Sequence, residues 1–131
     1  VEIARAGQIA DVRGNELAKT PGFTANLALT YSHTMGGWGD IEGTLSYTHR
    51  GDFRHRIFNN PDTDEVDSYD TIDVVLRFAP SDANWRVELI AKNLTDEDGI
   101  NARFTDVFGV GATGDQFIPP RQLMARVGID F

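Results

Sequence analysis

The dominant pattern in this chain is an alternation of hydrophobic and polar residues, which is typical of β-strands with two different faces. It recurs in five segments, within residues 23–32, 41–48, 71–78, 85–92 and 122–131. Each segment is roughly ten residues long, the length that a tilted strand needs to cross a bilayer. No window shows sustained helical spacing. The pattern predicts an all-β chain, an antiparallel up-and-down meander of about five or six long transmembrane strands, with the end of the sixth strand within residues 1–14.

The two faces of these segments carry different chemistry. In the last segment Leu123, Ala125, Val127, Ile129 and Phe131 share one face, and Arg126 and Asp130 lie on the other. Charged residues keep to the polar face throughout, which predicts that they face the lumen of a barrel, because charge on the lipid face is costly. They include Arg77, Arg86, Glu88, Lys92, Arg126 and Asp130. Aromatic residues near the segment ends predict two girdles at the headgroup level: Phe23, Tyr31, Tyr47, Phe53, Tyr69, Phe78, Trp85 and Phe131.

The connections between the segments alternate in length. Residues 35–39 and 80–84 are short, whereas residues 54–68 and 96–120 are long, and residues 15–21 are predicted to belong to another outer loop. Outer-membrane barrels have short periplasmic turns and longer outer loops. The alternation therefore favours a barrel with its long loops at the outer end and its last strand ending in the periplasm.

Composition narrows the function classes. The chain has 131 residues, no cysteine, a formal net charge of -8 and a pI of about 4.7. These values exclude a basic nucleic-acid-binding face, disulfides and thiolate chemistry. The mean hydropathy of -0.31 is compatible with a membrane barrel, because polar lumen-facing residues mask the lipid-facing half. Residues 1–5 do not resemble a signal peptide, so the chain is expected to be processed or to be part of a longer protein.

Several motifs suggest chemistry that their surroundings do not support. Gly109–Gly114 matches the dinucleotide pattern G-x-G-x-x-G, but Pro119 and Pro120 follow where a helix is needed, which favours an outer loop. Two acidic groups are interpreted as solvated loops, with a weak cation site as the alternative: Asp62, Asp64, Glu65 and Asp67; and Asp96, Glu97, Asp98 and Asp106. The three histidines, His33, His49 and His55, lack paired ligand spacing. We therefore expect no catalytic residue, no cofactor and no metal site.

Short motifs resemble the C-terminal barrel region of TonB-dependent outer-membrane receptors. Residues 92–96 (KNLTD) resemble their "NL-x-D" strand end, and Pro120-Arg121 resembles their "PR" entry to the final strand. Residues 15–27 resemble the loop that leads into a late strand. Phe131, with Ile129 and Val127, looks like the terminal signal that the outer-membrane assembly machinery recognises.

This resemblance implies that residues 1–131 form the C-terminal portion of a 22-stranded barrel, with the plug domain and the earlier strands absent. It implies a non-enzymatic role in the Gram-negative outer membrane: TonB-energised import of a scarce nutrient, with siderophore-iron as the usual ligand and cobalamin and sugars as others. The implied partners are lipid, the remaining strands and plug, TonB through that plug, the assembly machinery and a small-molecule ligand. Ligand contacts are expected from residues 54–68 and 96–120. The alternatives are a passive porin or small structural outer-membrane barrel, and a soluble β-sandwich or carbohydrate-binding module.

Overall fold

The computed structural model describes residues 11–106 and 112–129, and the elements in this part of the chain are strands and one 3₁₀ turn, Gly36–Trp38. The strands are β1 Thr24–Thr34, β2 Asp40–Arg50, β3 Phe53–Arg54, β4 Glu65–Val66, β5 Tyr69–Ala79, β6 Trp85–Lys92, β7 Ile100–Thr105, β8 Thr113–Phe117 and β9 Gln122–Ile129. No helix among these residues is long and apolar enough to cross a membrane.

The five predicted alternating segments form one sheet in the order β1-β2-β5-β6-β9, which we call the wall sheet. Strands β1, β2 and β5 have 11 residues each, and β6 and β9 have 8 each. β6 pairs antiparallel with both β5 and β9. The long strands thus follow one another in chain order, which confirms the predicted antiparallel meander for the described residues.

The hydrophobic face of the wall sheet is exposed in the described part of the chain. Leu123 on β9 keeps 72% of its surface exposed, and aliphatic and aromatic side chains on all five strands are similarly open. They include Leu27, Leu29, Tyr31, Ile41, Leu45, Tyr47, Leu76, Trp85, Leu89, Leu123, Val127 and Ile129. Water-soluble monomers seldom expose a continuous apolar surface of this kind, so this face requires an apolar environment.

The two short turns lie at the same end of the wall sheet. Ser81 connects them, because its N–H donates to the Trp38 carbonyl (3.4 Å) and its Oγ donates to the Gly36 carbonyl (3.3 Å). Gly39 has φ +133°, and a Cβ there would overlap the backbone of Ala79. Only glycine fits this close approach. The predicted alternation of short and long connections is therefore confirmed.

The long connections form a second compact unit, which we call the loop unit, from residues 11–24, 50–69, 99–106 and 112–118. It contains two small antiparallel sheets, β3–β4 and β7–β8, and Ala18 forms a parallel bridge with Arg54. Its apolar core is small: Phe53, 4% exposed, pairs with Val66, 0% exposed. The connections are thus more regular than the sequence indicates.

The structure contradicts the predicted place of one aromatic residue. Phe53 was predicted in an aromatic girdle, and this is wrong, because its ring is buried and the Arg50 guanidinium carbon lies 4.4 Å from the ring centroid. The predicted end of a sixth strand falls mostly on residues 1–10, which lie outside the described residues. The adjoining residues 13 and 14 form a turn.

Candidate functional site

The polar face of the wall sheet carries a row of four charges of alternating sign, which we call the charge row. Arg77 on β5 lies between Glu42 on β2 (3.2 Å) and Glu88 on β6 (2.7 Å). Arg126 on β9 contacts the other oxygen of Glu88 at 3.2 Å. Glu88 is only 8% exposed, because the two arginines cover its carboxylate. The row crosses four strands and ties them together on the face that was predicted to be luminal.

Further polar side chains of this face also pair between strands, beside an apolar patch of Val75, Ile90 and Met124. Lys92 Nζ lies 2.7 Å from Asp73 Oδ2, and Thr30 and Thr44 share a hydrogen bond of 3.0 Å between β1 and β2. The predicted polar positions Arg77, Glu88, Lys92 and Arg126 thus meet opposite charges on neighbouring strands. Asp130 lies outside the described residues.

Arginine–carboxylate pairs hold the loop unit together. Arg54 binds Glu65 at 2.7 Å and Glu16 at 3.3 Å. Arg56 lies 2.6 Å from Asp64, which is completely buried. Asp64 also accepts hydrogen bonds from Thr63 Oγ1 (3.0 Å) and the Asn60 N–H (3.0 Å). A buried carboxylate is tolerated only with such partners.

The interpretation of residues 62–67 as a solvated acidic loop is therefore wrong for Asp64, which anchors the loop from inside. Glu65 is paired with Arg54. Asp96 instead accepts a hydrogen bond from the Arg121 N–H at 2.9 Å. In the described part of the chain, no group of three or more histidine, aspartate or glutamate side chains is placed to hold a metal ion.

Arg103 joins two of the long connections. Its Nη1 donates to the Glu65 carbonyl at 2.6 Å, while Nε and Nη2 form a two-pronged contact with Asp115 at 2.6 and 2.9 Å. These hydrogen bonds lower the pKa of Asp115 and raise that of Arg103. The β7–β8 hairpin is thereby fastened to β4.

Two asparagines join residues 11–24 to residues 50–69 within the loop unit, again by donating to backbone carbonyls. Asn15 Nδ2 donates to the Ile57 carbonyl at 2.8 Å, and Asn59 Nδ2 donates to the Glu16 carbonyl at 3.2 Å. Side chains that bind backbone carbonyls supplement the small apolar core of this unit. The loop unit is consequently cross-linked by its own side chains.

The three histidines lie in separate surroundings. His55 is 8% exposed within the loop unit, and its N–H donates to the Asp64 carbonyl at 2.6 Å. Its Nδ1 has no hydrogen-bond partner among the described residues. Burial, followed by the charge of Lys19, lowers the pKa of His55. His33 stacks on Tyr31 with ring centroids 6.3 Å apart, and His49 Nδ1 lies 2.8 Å from Asp70 Oδ1. The histidines therefore form no common ligand set.

Hydrophobic side chains also project from the loop unit into solvent. Phe104 on β7 is 70% exposed, and Phe117 on β8 and Phe58 after β3 are also exposed. They lie within the two segments predicted to supply ligand contacts, although the sequence did not single them out. The available signal was an aromatic residue within an otherwise polar, glycine-rich loop.

The remaining predicted sites fall on or next to β8 and β9. Gly114, the last glycine of the dinucleotide-like motif, lies in β8, so a strand rather than a helix follows residues 109–112. Val127 and Ile129, two residues of the predicted assembly signal, are exposed on the apolar face of β9, opposite Val87 and Trp85. Phe131, the third, lies outside the described residues.

Comparison with known proteins agrees with this architecture. The family model described as "TonB dependent receptor-like, beta-barrel" matches residues 4–94, more than half of the chain. Neither a curated protein nor a solved structure matches the chain. The match covers β1 to β6 and the first two long connections, and the unburied apolar face and the polar opposite face are those of a barrel wall. The chain therefore belongs to the TonB-dependent receptor-like β-barrel family, a family of outer-membrane transport proteins rather than enzymes.

Proposed function

We propose that residues 1–131 form the C-terminal portion of the barrel of an active importer, whose plug and earlier strands lie elsewhere in the receptor. The importer binds a scarce nutrient, in the first place an iron–siderophore complex, and draws energy from TonB through the plug. The chain itself supplies barrel wall, luminal charges and outer loops. No covalent chemistry is required of it.

The observation that carries the proposal is a loop unit that is cross-linked by its own side chains and exposes aromatic side chains. Ligand capture benefits from a surface that is ordered before binding, because less conformational entropy is lost. Arg103, Asn15 and Asn59 supply this order. Phe58, Phe104 and Phe117 offer apolar contact area for a ligand of low polarity.

The charges of the loop unit narrow the ligand class further. Its arginines are engaged within the unit: Arg54 and Arg56 with carboxylates of the second connection, and Arg103 with Asp115. Arg50 donates to Asn101 and lies over Phe53. A polyanionic complex would have to compete for these guanidinium groups. The arrangement favours a neutral or weakly charged complex.

The charge row has a corresponding role in transport. Along the charge row the plug moves against paired, hydrated charges, so no apolar contact has to be broken at this part of the wall. Arg126 has a side chain that is 71% exposed and lies 3.2 Å from one oxygen of Glu88, so it is the member that we expect to exchange partners with a plug residue.

Uptake of radiolabelled iron by iron-starved cells tests the proposal. Cells that express the full receptor are supplied with a panel of neutral and anionic iron–siderophore complexes, with and without a functional TonB. We expect TonB-dependent uptake of a neutral complex, and the double variant Phe104→Ala, Phe117→Ala to reduce apparent affinity at least about tenfold. Trp38→Ala, in an exposed short turn, is the matched control and should leave uptake unchanged.

Two results would contradict the proposal. Equal uptake with and without TonB would indicate a passive porin. Uptake that is TonB-dependent but insensitive to the two phenylalanines would place the ligand contacts elsewhere in the receptor. If iron complexes are not transported, the same cells can be offered cobalamin and oligosaccharides.

A further inference from the structure

The end of β6 and the start of β9 are joined by two side chains, Asn93 and Asp96. Both residues have left-handed backbone conformations, with φ of 48° and 60°. Asparagine and aspartate adopt this conformation more readily than other non-glycine residues. The chain leaves β6 in a tight turn, and the Asp96 N–H donates to the Asn93 carbonyl at 2.9 Å.

Asn93 uses its whole side-chain amide in this turn. Nδ2 donates to the carbonyls of Glu97 (2.9 Å) and Pro119 (3.0 Å), and Oδ1 accepts from the Glu97 N–H at 2.9 Å. The backbone N–H of Asn93 donates to Asp73 Oδ1 at 2.9 Å. The residue is only 5% exposed. Asn93 therefore joins four chain segments at one point: β5, the end of β6, the turn after it, and the segment that enters β9.

Asp96 binds the same entering segment two residues further on. Its Oδ1 accepts from the Arg121 N–H at 2.9 Å, and its Oδ2 lies 3.6 Å from the Arg121 guanidinium. Asn93 and Asp96 thus hold residues 119 and 121, on either side of Pro120, whose nitrogen cannot donate a hydrogen bond. The next residue, Gln122, pairs with Lys92.

This placement matters because the hydrophobic pattern of β9 does not determine its register. Successive apolar positions of β9 are Leu123, Ala125 and Val127, and a slip of two residues leaves every side chain on its proper face. Only contacts between particular residues distinguish the observed register from such a slip.

Two of these contacts lie within the sheet. Arg126 meets Glu88 across the strands, and Gly128 lies beneath Arg86, where a Cβ would come within 3.1 Å of the guanidinium group. The hydrogen bonds from Asn93 and Asp96 to residues 119 and 121 are a third contact that depends on the register, and they lie outside the paired strands.

We propose that Asn93 and Asp96 form a latch that sets the register of β9 on β6 and so positions the last described strand during barrel assembly. The latch goes beyond the transport function and is independent of the ligand. The latch joins the two short motifs of the sequence, residues 92–96 and residues 120–121. Asn93 and Asp96 are positioning residues, and their loss allows β9 to pair two residues out of place.

Disulfide trapping in the full receptor tests the latch, since this chain contains no cysteine. Leu89 and Ala125 are directly opposite in the observed register, so the pair Leu89→Cys, Ala125→Cys should cross-link. The pairs of Leu89→Cys with Leu123→Cys or Val127→Cys are displaced by about 7 Å along the strand and should cross-link only after a slip.

The latch is removed by Asn93→Gly with Asp96→Gly, because glycine keeps the left-handed backbone while it loses every side-chain bond. Thr95→Gly, an exposed position between them, is the control for added flexibility. We expect the ratio of slipped to observed cross-links to rise at least about tenfold in the double variant and to stay unchanged in the control.

An unchanged ratio in an assembled double variant would overturn the proposal. If the double variant does not reach the membrane, Asn93→Asp provides the second test, since it keeps the acceptor for Glu97 but loses both amide donors. A rise of a few-fold in slipped cross-links is expected there. An Asn93→Asp receptor that forms only the Leu89–Ala125 cross-link would show that the register is set without Asn93.

Discussion

Leu89→Arg provides a direct measure of which face of the wall sheet meets lipid. Leu89 lies in the middle of β6, between Leu76 on β5 and Ala125 on β9, and about half of its surface is exposed. It is four residues from Trp85, or about 13 Å along the strand at ~3.3 Å per residue. In a hydrophobic band of about 25 Å, this position is close to the midplane.

An arginine at this depth on the lipid face costs about 2–4 kcal/mol. This corresponds to a fall of about 30-fold to 700-fold in the folding equilibrium constant. Ile90→Arg is the matched control, because Ile90 is adjacent in β6 but points to the opposite face, beside Val75 and Met124. There the guanidinium remains hydrated, so we expect a change below about 1 kcal/mol.

The assay is urea unfolding of the full receptor in lipid vesicles, followed by tryptophan fluorescence and by the mobility of unboiled samples on gels. Leu89→Arg should lower the free energy of unfolding and the assembled fraction, whereas Ile90→Arg and Lys92→Ala should change both much less. Equal losses for Leu89→Arg and Ile90→Arg, or a larger loss for Ile90→Arg, would refute the assignment of the two faces.

Three further predictions concern the loops and the chain end. Burial lowers the pKa of His55 in the folded state, so its contribution to stability is complete above the unfolded pKa of about 6.5 and is lost as the pH falls below that value. Proteolysis of the loop unit should therefore accelerate between pH 7.5 and 5.5, and it should accelerate less in His55→Gln. Identical pH profiles for the two proteins would contradict this prediction. Arg103→Ala removes its bonds to Asp115 and Glu65 and should increase cleavage within residues 99–118 several-fold, and an unchanged cleavage rate would show that the hairpin is held by other contacts. Deletion of Phe131 should block assembly of the receptor without reducing its synthesis, and normal outer-membrane levels would argue against the assembly signal.

The wall strands could be predicted from the sequence because each has two chemically different environments. The alternation of hydrophobic and polar residues reflects this difference directly. It predicted the five strands and their faces, and the residues between them predicted that short and long connections follow in turn. The register of β9 on β6 cannot be predicted in this way, because a slip of two residues preserves the alternation of hydrophobic and polar residues. The pairing of Glu88 with Arg77 and Arg126 therefore emerged only from the structure.

The loop unit was beyond sequence-based prediction for a different reason. β3 and β4 have two residues each, too few to show any period. Phe53 is buried in its pairing with Val66, and Asp64 is buried by Arg56 and by the turn at residues 60–63. Neither arrangement has a periodic pattern in the sequence, so one residue was placed in a girdle and the other in solvent. The motif at residues 92–96 was recognised, but its bonds to Pro119 and Arg121 depend on the return of the chain after the third long connection.

The central claim is that this chain is part of a receptor barrel in the outer membrane, and one gel tests it most directly. Outer membranes of the source organism are run boiled and unboiled and probed with an antibody against this chain. We predict a large membrane band whose mobility changes when the sample is not boiled, as expected of a full barrel. The soluble fraction of the same cells is run beside the membranes, and a band near 14.5 kDa in that fraction would contradict the account.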